Sequence, residues 1–268
     1  MDLDAIQPRF DQEDDAGYPF NLPIWQGLKS LDFSTPVTFF VGDNGAGKST
    51  LLEAIAVQFR LPALTQMGVD RHPLMQGARD LAKALTFVRR PGGRSGKRRR
   101  GFFFRADDVT GYVQAMVETV EEHQKLEQHF DESLDGYGKI LATGAARQEH
   151  AALTERYGEN PFGRSHGELF LSLLRSRLTA PGLYLLDEPE TPLSPTNQIA
   201  LLALLMDAAQ RGSQIIVATH SPIVMALPGA RILDFDQHPP SPVEWEDVDH
   251  VSITKAFLSN PRAFLRHL

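Results

Sequence analysis

A glycine-rich segment between an apolar run and a helix-forming run constrains this chain of 268 residues more than any other feature. Over residues 37–59 the sequence reads VTFFVGDNGAGKSTLLEAIAVQF. Within it, Gly42, Gly47, Lys48 and Ser49 satisfy the spacing G-x-x-x-x-G-K-[ST]. The apolar residues predict a strand, the glycines a loop and the last residues a helix, which is the setting that this spacing requires.

A loop of this kind is suited to hold phosphate groups. Glycines let the backbone N–H groups point inward, and the helix N-terminus adds its positive end. Lys48 supplies a charge for β and γ phosphates, and Ser49 a hydroxyl for Mg²⁺. The alternative is a glycine-rich turn without a ligand. The predicted nucleotide-binding residues of the loop are Asp43, Asn44, Gly45, Ala46, Gly47, Lys48, Ser49 and Thr50.

The composition predicts a globular chain. An apolar content of 42% is ample for the core of one large α/β domain or two small ones. No run reaches the roughly 18 apolar residues of a membrane span, and the first residues are acidic where a signal peptide is basic. We therefore expect a cytoplasmic protein with no membrane insertion. The absence of cysteine excludes disulfides and thiolate zinc sites, and a net charge of −7 means that any attraction to nucleic acid must be local.

The last third of the chain alternates between apolar runs and a helical pattern. Residues 182–188 and 213–219 are apolar enough for strands buried on both faces, and a helix between them ends at Gly212. A further strand is predicted in the segment ARILDFD. This order predicts a parallel sheet with right-handed crossovers, whose ligands lie at the carboxyl ends of the strands.

The first two thirds are less regular. Residues 1–30 contain three prolines and predict irregular structure. The segments KALTFVRR and GFFFRAD predict a β-hairpin. Its connection, residues 89–100, carries seven cations and is interpreted either as a solvated mobile loop or as a contact to nucleic-acid phosphates. From Tyr112 to Tyr157 the pattern predicts about two or three helices.

Two acidic residues form the carboxyl end of the predicted strand at 182–188. Asp187 could hold Mg²⁺, and Glu188 could orient and deprotonate a water that attacks the γ-phosphate. The alternative is an acidic pair that opens a surface loop. His220 ends the neighbouring predicted strand, where its imidazole could hydrogen-bond both the phosphate and the attacking water. A lone histidine is otherwise more often structural.

The segment RSHGELFLSLLRSRL, residues 164–178, predicts a helix start. Ser165 and Glu168 form the capping-box pattern S-x-x-E, which begins a helix without any further function. The same geometry presents a hydroxyl, free N–H groups and the small Gly167 at a positive helix end, which favours an anion site. The two interpretations are compatible.

These pieces, in this order, resemble the ATP-binding-cassette (ABC) ATPases over nearly the whole chain. GDNGAGKST resembles the Walker A loop, LYLLDEPE the Walker B strand, SHGE a variant signature motif, TPLS the D-loop and THS the switch histidine. The phrases FFFRAD, RSHGE and LLDEPETPLSP are most similar to small soluble bacterial ATPases of the AAA/ABC type, in the RecF, SMC and OLD-like branch.

The resemblance implies an α/β fold: a P-loop NTPase with an ABC-type ATPase core, mainly a parallel sheet flanked by helices, plus an antiparallel β part and a helical subdomain. It implies one domain over 1–268, with a nucleotide-binding core at 1–110 and 179–268. The helical subdomain, 111–178, carries the signature-like motif. The implied cofactors are ATP and Mg²⁺, with Ser49 and Asp187 at the metal.

The resemblance also implies catalytic roles and a partner. Glu188 and His220 are the implied catalytic residues. Two subunits are expected to close head to tail on ATP, so that Ser165 and Gly167 serve the partner's nucleotide.

Several positions depart from the pattern of the transporter subunits. His166 stands where those subunits have glycine, and Ser194 replaces the D-loop aspartate. No Q-loop glutamine is present at the expected place, where Arg105 or Asp107 would have to substitute. The candidates for an aromatic side chain that stacks on adenine are Phe20 and Trp25.

Three functions compete at this point. The first is an ATPase that dimerises with ATP and drives a conformational change in a DNA-related or defence process. The second is the ATPase subunit of a membrane transporter. The variant signature motif and the missing Q-loop glutamine disfavour this function. The third is a nucleotide-gated switch with little turnover, which would have no need of a water-activating Glu188. A small-molecule kinase is disfavoured because no lid for a second substrate is apparent.

If the basic segment contacts nucleic acid, changing Arg98, Arg99 and Arg100 to Ser should weaken DNA binding. The log–log salt dependence should flatten by roughly one unit per lost phosphate contact. Filter retention of DNA over a salt series, with and without ATP, measures both effects. Wild-type protein that retains no DNA at low salt under either condition would leave the mobile-loop interpretation.

Overall fold

The computed structural model describes residues 3–10, 17–63, 75–90, 101–106, 108, 166–179 and 181–266. Four features predicted from the sequence lie outside these ranges: the helices between Tyr112 and Tyr157, residues 91–100 of the basic connection, Asp107 and Ser165.

The described residues form nine strands and six α-helices. The strands are β1 (Ala5–Pro8), β2 (Leu31–Asp32), β3 (Val37–Val41), β4 (Leu85–Val88), β5 (Gly101–Arg105), β6 (Leu183–Asp187), β7 (Gln214–Ala218), β8 (Arg231–Asp234) and β9 (Ser241–Val243). The helices are α1 (Lys48–Phe59), α2 (Gln76–Ala84), α3 (His166–Arg177), α4 (Pro195–Gln210), α5 (Asp249–Ser259) and α6 (Pro261–Leu265). Short 3₁₀ turns cover Pro23–Trp25, Val224–Ala226 and Trp245–Asp247.

A six-stranded sheet with the order β5-β6-β7-β3-β8-β9 forms the centre of the described structure. Neighbouring strands are parallel from β5 to β8, and β9 is antiparallel at the edge. The carboxyl ends of three strands lie level, because Asp187 pairs with Ala218 and Ala218 pairs with Phe40. The predicted parallel sheet is confirmed, with its strands at the positions that the apolar runs indicated.

The central strands are buried on both faces, as their continuous apolar runs predict. Phe39 packs in one core with Phe102 and Phe104, on the side that α3 and α4 cover. Phe40 and Phe103 point to the opposite core, which α1 and α2 close. Because successive strand residues alternate between faces, each phenylalanine run serves both cores.

A second, three-stranded antiparallel sheet has the order β2-β1-β4. The predicted antiparallel part is therefore present, but the predicted hairpin of KALTFVRR and GFFFRAD is wrong. Strand β4 pairs with β1, whereas β5 pairs with β6 in the parallel sheet. Phe102, Phe103 and Phe104 of β5 are all buried, so this strand fits a sheet that is covered on both faces. Strand β1 lies in the segment predicted to be irregular, and its partner β4 is far away in sequence.

Helix α3 begins where the capping-box pattern predicts a helix. Its apolar residues Leu169, Phe170 and Leu173 lie in the same core as strands β5 and β6. The described part of the segment 111–178 thus packs on the sheet, and the subdomain boundary at 178/179 stays a prediction.

Within the described ranges, every helix is too short or too polar to cross a bilayer.

Gly101 of strand β5 pairs with Leu183 of β6, and there is no space for a side chain at this position. A Cβ at this position would overlap the carbonyl oxygen of Leu183 and would lie 2.9 Å from Leu61 Cδ2. Gly101→Ala should lower the free energy of unfolding by about 1–3 kcal/mol, the usual cost of overpacking. Gly17→Ala is the matched control, because a Cβ there meets nothing within 4 Å. Equal denaturant midpoints for the two variants would contradict this packing.

Candidate nucleotide-binding site

The loop between β3 and α1 has the backbone that its glycines permit. Gly45 and Gly47 adopt φ angles of 86° and 95°, in the left-handed region that favours glycine. Gly47 is also close to the 3₁₀ turn at Pro23–Trp25, since a Cβ would lie 3.1 Å from Ile24 Cδ1. The loop therefore turns into α1 at Gly47, where a residue with a side chain would be strained by the φ angle and would have too little space.

Lys48 curls back over the loop. Its Nζ donates hydrogen bonds to the carbonyl oxygens of Gly42 and Asp43, at 2.6 and 2.8 Å. The residue is only 5% exposed, and this burial lowers its pKa, although nearby carboxylates, Asp236 first, act in the opposite direction. The cation is thus held at the loop, where it can compensate the charge of a phosphate.

Ser49 and Asp187 meet at the carboxyl edge of the sheet. The Ser49 hydroxyl donates to Asp187 Oδ1 at 2.9 Å. Asp187 is 7% exposed, and burial raises its pKa to about 6. A hydroxyl and one buried carboxylate are a fitting donor set for Mg²⁺, which takes one or two protein oxygens and completes its shell with phosphate and water. Among the described residues, no group of three or more His, Asp or Glu side chains offers a different metal site.

Glu188 turns the chain away from the end of β6. Its φ of 49° is unusual for a residue with a side chain, and its N–H donates to the Ala218 carbonyl at 2.9 Å. The Glu188 side chain is 43% exposed, and its Oε1 lies 3.7 Å from His220 Nε2. The two predicted catalytic residues therefore face each other beside Asp187.

Glu190 holds the segment that carries His220, a role that the sequence interpretation missed. Its Oε1 accepts hydrogen bonds from the Thr219 hydroxyl and the His220 backbone N–H, both at 2.7 Å. Burial raises the pKa of Glu190, against the effect of these hydrogen bonds. The signal in the sequence was a second glutamate two residues after Glu188.

His250 was also missed. It lies in α5, and its Nε2 is 3.0 Å from Nδ1 of His220, with the two rings edge to face. Burial lowers the pKa of His220, and the charge of Lys48 acts in the same direction. No local pattern in the sequence connects these histidines, which are 30 residues apart.

Arg105 occupies the position where a Q-loop glutamine was expected. It ends strand β5 in register with Asp187, and its guanidinium lies 3.2 Å from Glu53 of α1. Burial raises the pKa of Glu53 to about 7, while the charge of Arg105 acts to lower it. One of the two predicted substitutes is thus beside the site, and the other, Asp107, lies outside the described residues.

Asp236, in the segment after β8, supports the loop from outside. Both of its carboxylate oxygens lie 2.9 Å from the Asp43 backbone N–H, which donates to them. A Cβ on Gly42 would approach this carboxylate at 3.0 Å. The first glycine of the motif is therefore required for contact with Asp236 as well as for the turn itself.

Tyr18 is the exposed aromatic residue beside the helix start. Its hydroxyl is 3.0 Å from Thr50 Oγ1, and 61% of the residue is exposed. Trp25, an earlier candidate for stacking, is 4% exposed and donates its indole N–H to the Pro19 carbonyl. Phe20 packs edge to face on Phe10. The interpretation of Trp25 as a free stacking surface is wrong, because its ring is part of the core.

The signature-like and D-loop-like segments contact each other. A Cβ on Gly167 would lie 2.9 Å from the Pro192 carbonyl oxygen and 3.0 Å from Asn197 Nδ2. Ser194 is the N-cap of α4, where its hydroxyl accepts from the Asn197 N–H. Ser194 thus caps a helix where the sequence pattern expected an aspartate.

The structure brings most of the predicted site residues together at one edge of the sheet. The phosphate loop, Ser49, Asp187, Glu188 and His220 form this group, while Gly167 lies against the segment that precedes α4. Ser165 lies outside the described residues, so its predicted contact with a partner's nucleotide stays a prediction.

Two family models match parts of the chain. Residues 169–226 match "AAA domain, putative AbiEii toxin, Type IV TA system", and residues 21–59 match "AAA domain". The first match contains most of α3 and all of β6, α4 and β7, and the second contains the phosphate loop and α1. These are the segments that carry the site.

Curated relatives align over most of the chain. Hemin import ATP-binding protein HmuV of Nocardia farcinica is 29% identical over 217 residues, which are 80% of this chain and 69% of the relative. Phosphate import ATP-binding protein PstB of Pseudoalteromonas translucida is 27% identical over 202 residues, 73% of this chain and 68% of the relative.

Among solved structures, the SMC head domain from Thermotoga maritima is 18% identical, with 91% of this chain and 100% of that chain covered, at a TM-score of 0.40. That likeness is too distant to carry an argument. The motifs, the parallel sheet that brings them together and the sequence relatives all indicate the same class of protein. The chain therefore has the fold and the ATP-binding motifs of P-loop ATPases of the ATP-binding-cassette type, and its sequence relatives support ATP hydrolase activity.

Proposed function

We propose that this ATPase binds Mg-ATP, hydrolyses it to ADP and phosphate in a head-to-tail homodimer, and uses the cycle in a DNA-related or defence process. The observation that carries the proposal is the placement of Glu188 Oε1 3.7 Å from His220 Nε2, beside the Ser49–Asp187 pair. These four side chains supply a base, a phosphate contact and a metal site at one edge of the sheet.

Each group has a distinct role in this proposal. Lys48 and the loop amides bind the β and γ phosphates, and the hydroxyl of Ser49 and the carboxylate of Asp187 hold Mg²⁺. The metal, when bound, neutralises charge that develops on the phosphate oxygens. Glu188 accepts the proton of the attacking water, and its partial exposure leaves room for that water. His220 donates a hydrogen bond to the γ-phosphate.

The dimer is proposed from the motif order. Gly167 lies at the N-terminal end of α3, where backbone N–H groups lack helical partners and favour an anion. In the proposed dimer this helix end faces the γ-phosphate bound by the other subunit. Close contact of Gly167 with Pro192 couples that helix end to the segment between Glu188 and α4.

Two observations bear on the process that the ATPase serves. The family model over residues 169–226 names a toxin of a type IV toxin–antitoxin system, which supports a defence role. The named relatives are instead import ATP-binding proteins, which favours a second candidate, the ATPase subunit of a transporter. Recovery of the chain in the membrane fraction through an integral membrane partner would decide for the second candidate.

Glu188→Gln should keep ATP binding and stop turnover. The amide retains the shape of the side chain but cannot accept the proton, so hydrolysis should fall by about 10²–10⁴-fold. Trapped ATP should then hold two subunits together, which light scattering with and without Mg-ATP measures. Adding Ser165→Arg should abolish this dimer while ATP binding to the monomer is retained.

Three outcomes would contradict this scheme. A Glu188→Gln protein that stays monomeric at saturating ATP, or a double variant that still dimerises, would exclude the head-to-tail arrangement. Undiminished hydrolysis by Glu188→Gln would exclude the glutamate as the base. Glu246→Gln is the matched control, since this glutamate is exposed in the turn before α5.

We further propose that the base of ATP stacks on Tyr18. Tyr18→Leu should weaken ATP binding roughly tenfold, because base–aromatic stacking contributes about 1–3 kcal/mol. Tyr18→Phe keeps the ring, loses the bond to Thr50 and should retain most of the affinity. Calorimetric titration with ATP and with inorganic tripolyphosphate separates the two effects, since only ATP has a base. Equal losses for both ligands in Tyr18→Leu would assign Tyr18 to the phosphate loop instead.

A further inference from the structure

His220 and His250 share one hydrogen bond, and only one of the two ring nitrogens can supply its proton. His220 Nδ1 and His250 Nε2 are 3.0 Å apart. Either His250 donates through Nε2–H, or His220 donates through Nδ1–H. The two arrangements differ at Nε2 of His220, the nitrogen that faces the site. Nε2 carries the proton if His250 donates, and a lone pair if His220 donates.

The surroundings of His220 distinguish these arrangements. Its Nε2 is buried, has no hydrogen-bond partner among the described residues and lies 3.7 Å from Glu188 Oε1. If His220 donated through Nδ1, an Nε2 lone pair would face a carboxylate oxygen, which is repulsive. If His250 donates, an N–H faces the carboxylate instead. The second arrangement is electrostatically favoured.

The backbone of His220 is fixed independently of its ring. Glu190 accepts the His220 N–H at 2.7 Å and the hydroxyl of Thr219 at the same distance. Glu190 therefore fixes the position of the His220 backbone. It determines neither the orientation of the imidazole ring nor which ring nitrogen carries the proton. Among the described residues, the hydrogen-bond partner of the imidazole ring is His250.

We propose that His250 is a positioning residue, which donates to His220 Nδ1 and so keeps the proton of His220 on Nε2. An Nε2–H is the group that can donate a hydrogen bond to a γ-phosphate, whereas a bare nitrogen would repel it. The other tautomer would present an acceptor to phosphate oxygens, which are acceptors themselves. Helix α5 thus supplies the group that makes the histidine of the site a donor.

This inference rests on the proposed contact between His220 and phosphate, but the tautomer can be measured without nucleotide. Long-range ¹H–¹⁵N correlation spectra of histidine-labelled protein, at a pH where His220 is neutral, report which ring nitrogen carries the proton. The His220 resonances are identified by their loss in His220→Gln. We expect the Nε2–H tautomer at both His220 and His250.

Three variants then test the effect on turnover. His250→Phe keeps a ring but has no donor, so the Nδ1 resonance of His220 should shift towards that of an unbonded nitrogen. Its kcat should fall about 10-fold or more, with KM for ATP nearly unchanged, as for partners that orient an imidazole ligand. His250→Gln places an amide donor near the position of Nε2 and should restore most of kcat. Lys255→Gln, on the exposed face of α5, is the control and should leave kcat and the spectrum unchanged.

The outcomes separate the inference from the proposed function. A wild-type spectrum with the proton on His220 Nδ1, or a His250→Phe protein with unchanged kcat and an unshifted Nδ1 resonance, would overturn the role of His250. Loss of hydrolysis in His220→Ala alongside such a result would leave the proposed function standing. Full hydrolysis by His220→Ala would remove the phosphate contact, while the spectrum would still decide which histidine donates.

Discussion

The hydrogen bond from the Ser49 hydroxyl to Asp187 joins residues 138 positions apart, and the site depends on it. It forms because β3 and β6 end at the same edge of the sheet, with β7 between them. A shift of register in either pairing would separate the phosphate loop from the carboxylate. The two cores on either face fix that register, since every strand residue from 37 to 41 and from 183 to 187 is buried.

The site concentrates charge in a poorly solvated place. Lys48 and Asp187 are buried. Burial lowers the pKa of Lys48 and raises the pKa of Asp187, because it disfavours the charged form of each side chain. Arg105 and Glu53 add a second pair at the end of β5. Charges with so little water around them interact strongly with an incoming ion pair, because burial weakens dielectric screening. An anion such as triphosphate and a cation such as Mg²⁺ each find a partner there.

A second layer of residues arranges the groups that face the nucleotide. Glu190 fixes the backbone at His220, His250 contacts its ring, and Asp236 supports the loop at Asp43. These three residues come from three separate segments of the chain. Their contacts explain how a loop, a strand end and a C-terminal helix act as one site, although only the first two carry motifs.

The sequence by itself determined the phosphate loop, the acidic pair at Asp187 and the parallel strands, because these depend on local spacing and on continuous apolar runs. It also placed the start of α3 correctly. Tertiary structure decided the rest. The glycine-rich connection between β4 and β5 is typical of a hairpin, so the local sequence predicts that these two strands pair with each other. In the folded chain β5 pairs with β6 instead, because Phe102 to Phe104 are buried there on both faces of the parallel sheet. Likewise, only folding brings His250 to His220 and Tyr18 to Thr50, because no local periodicity encodes contacts between distant segments.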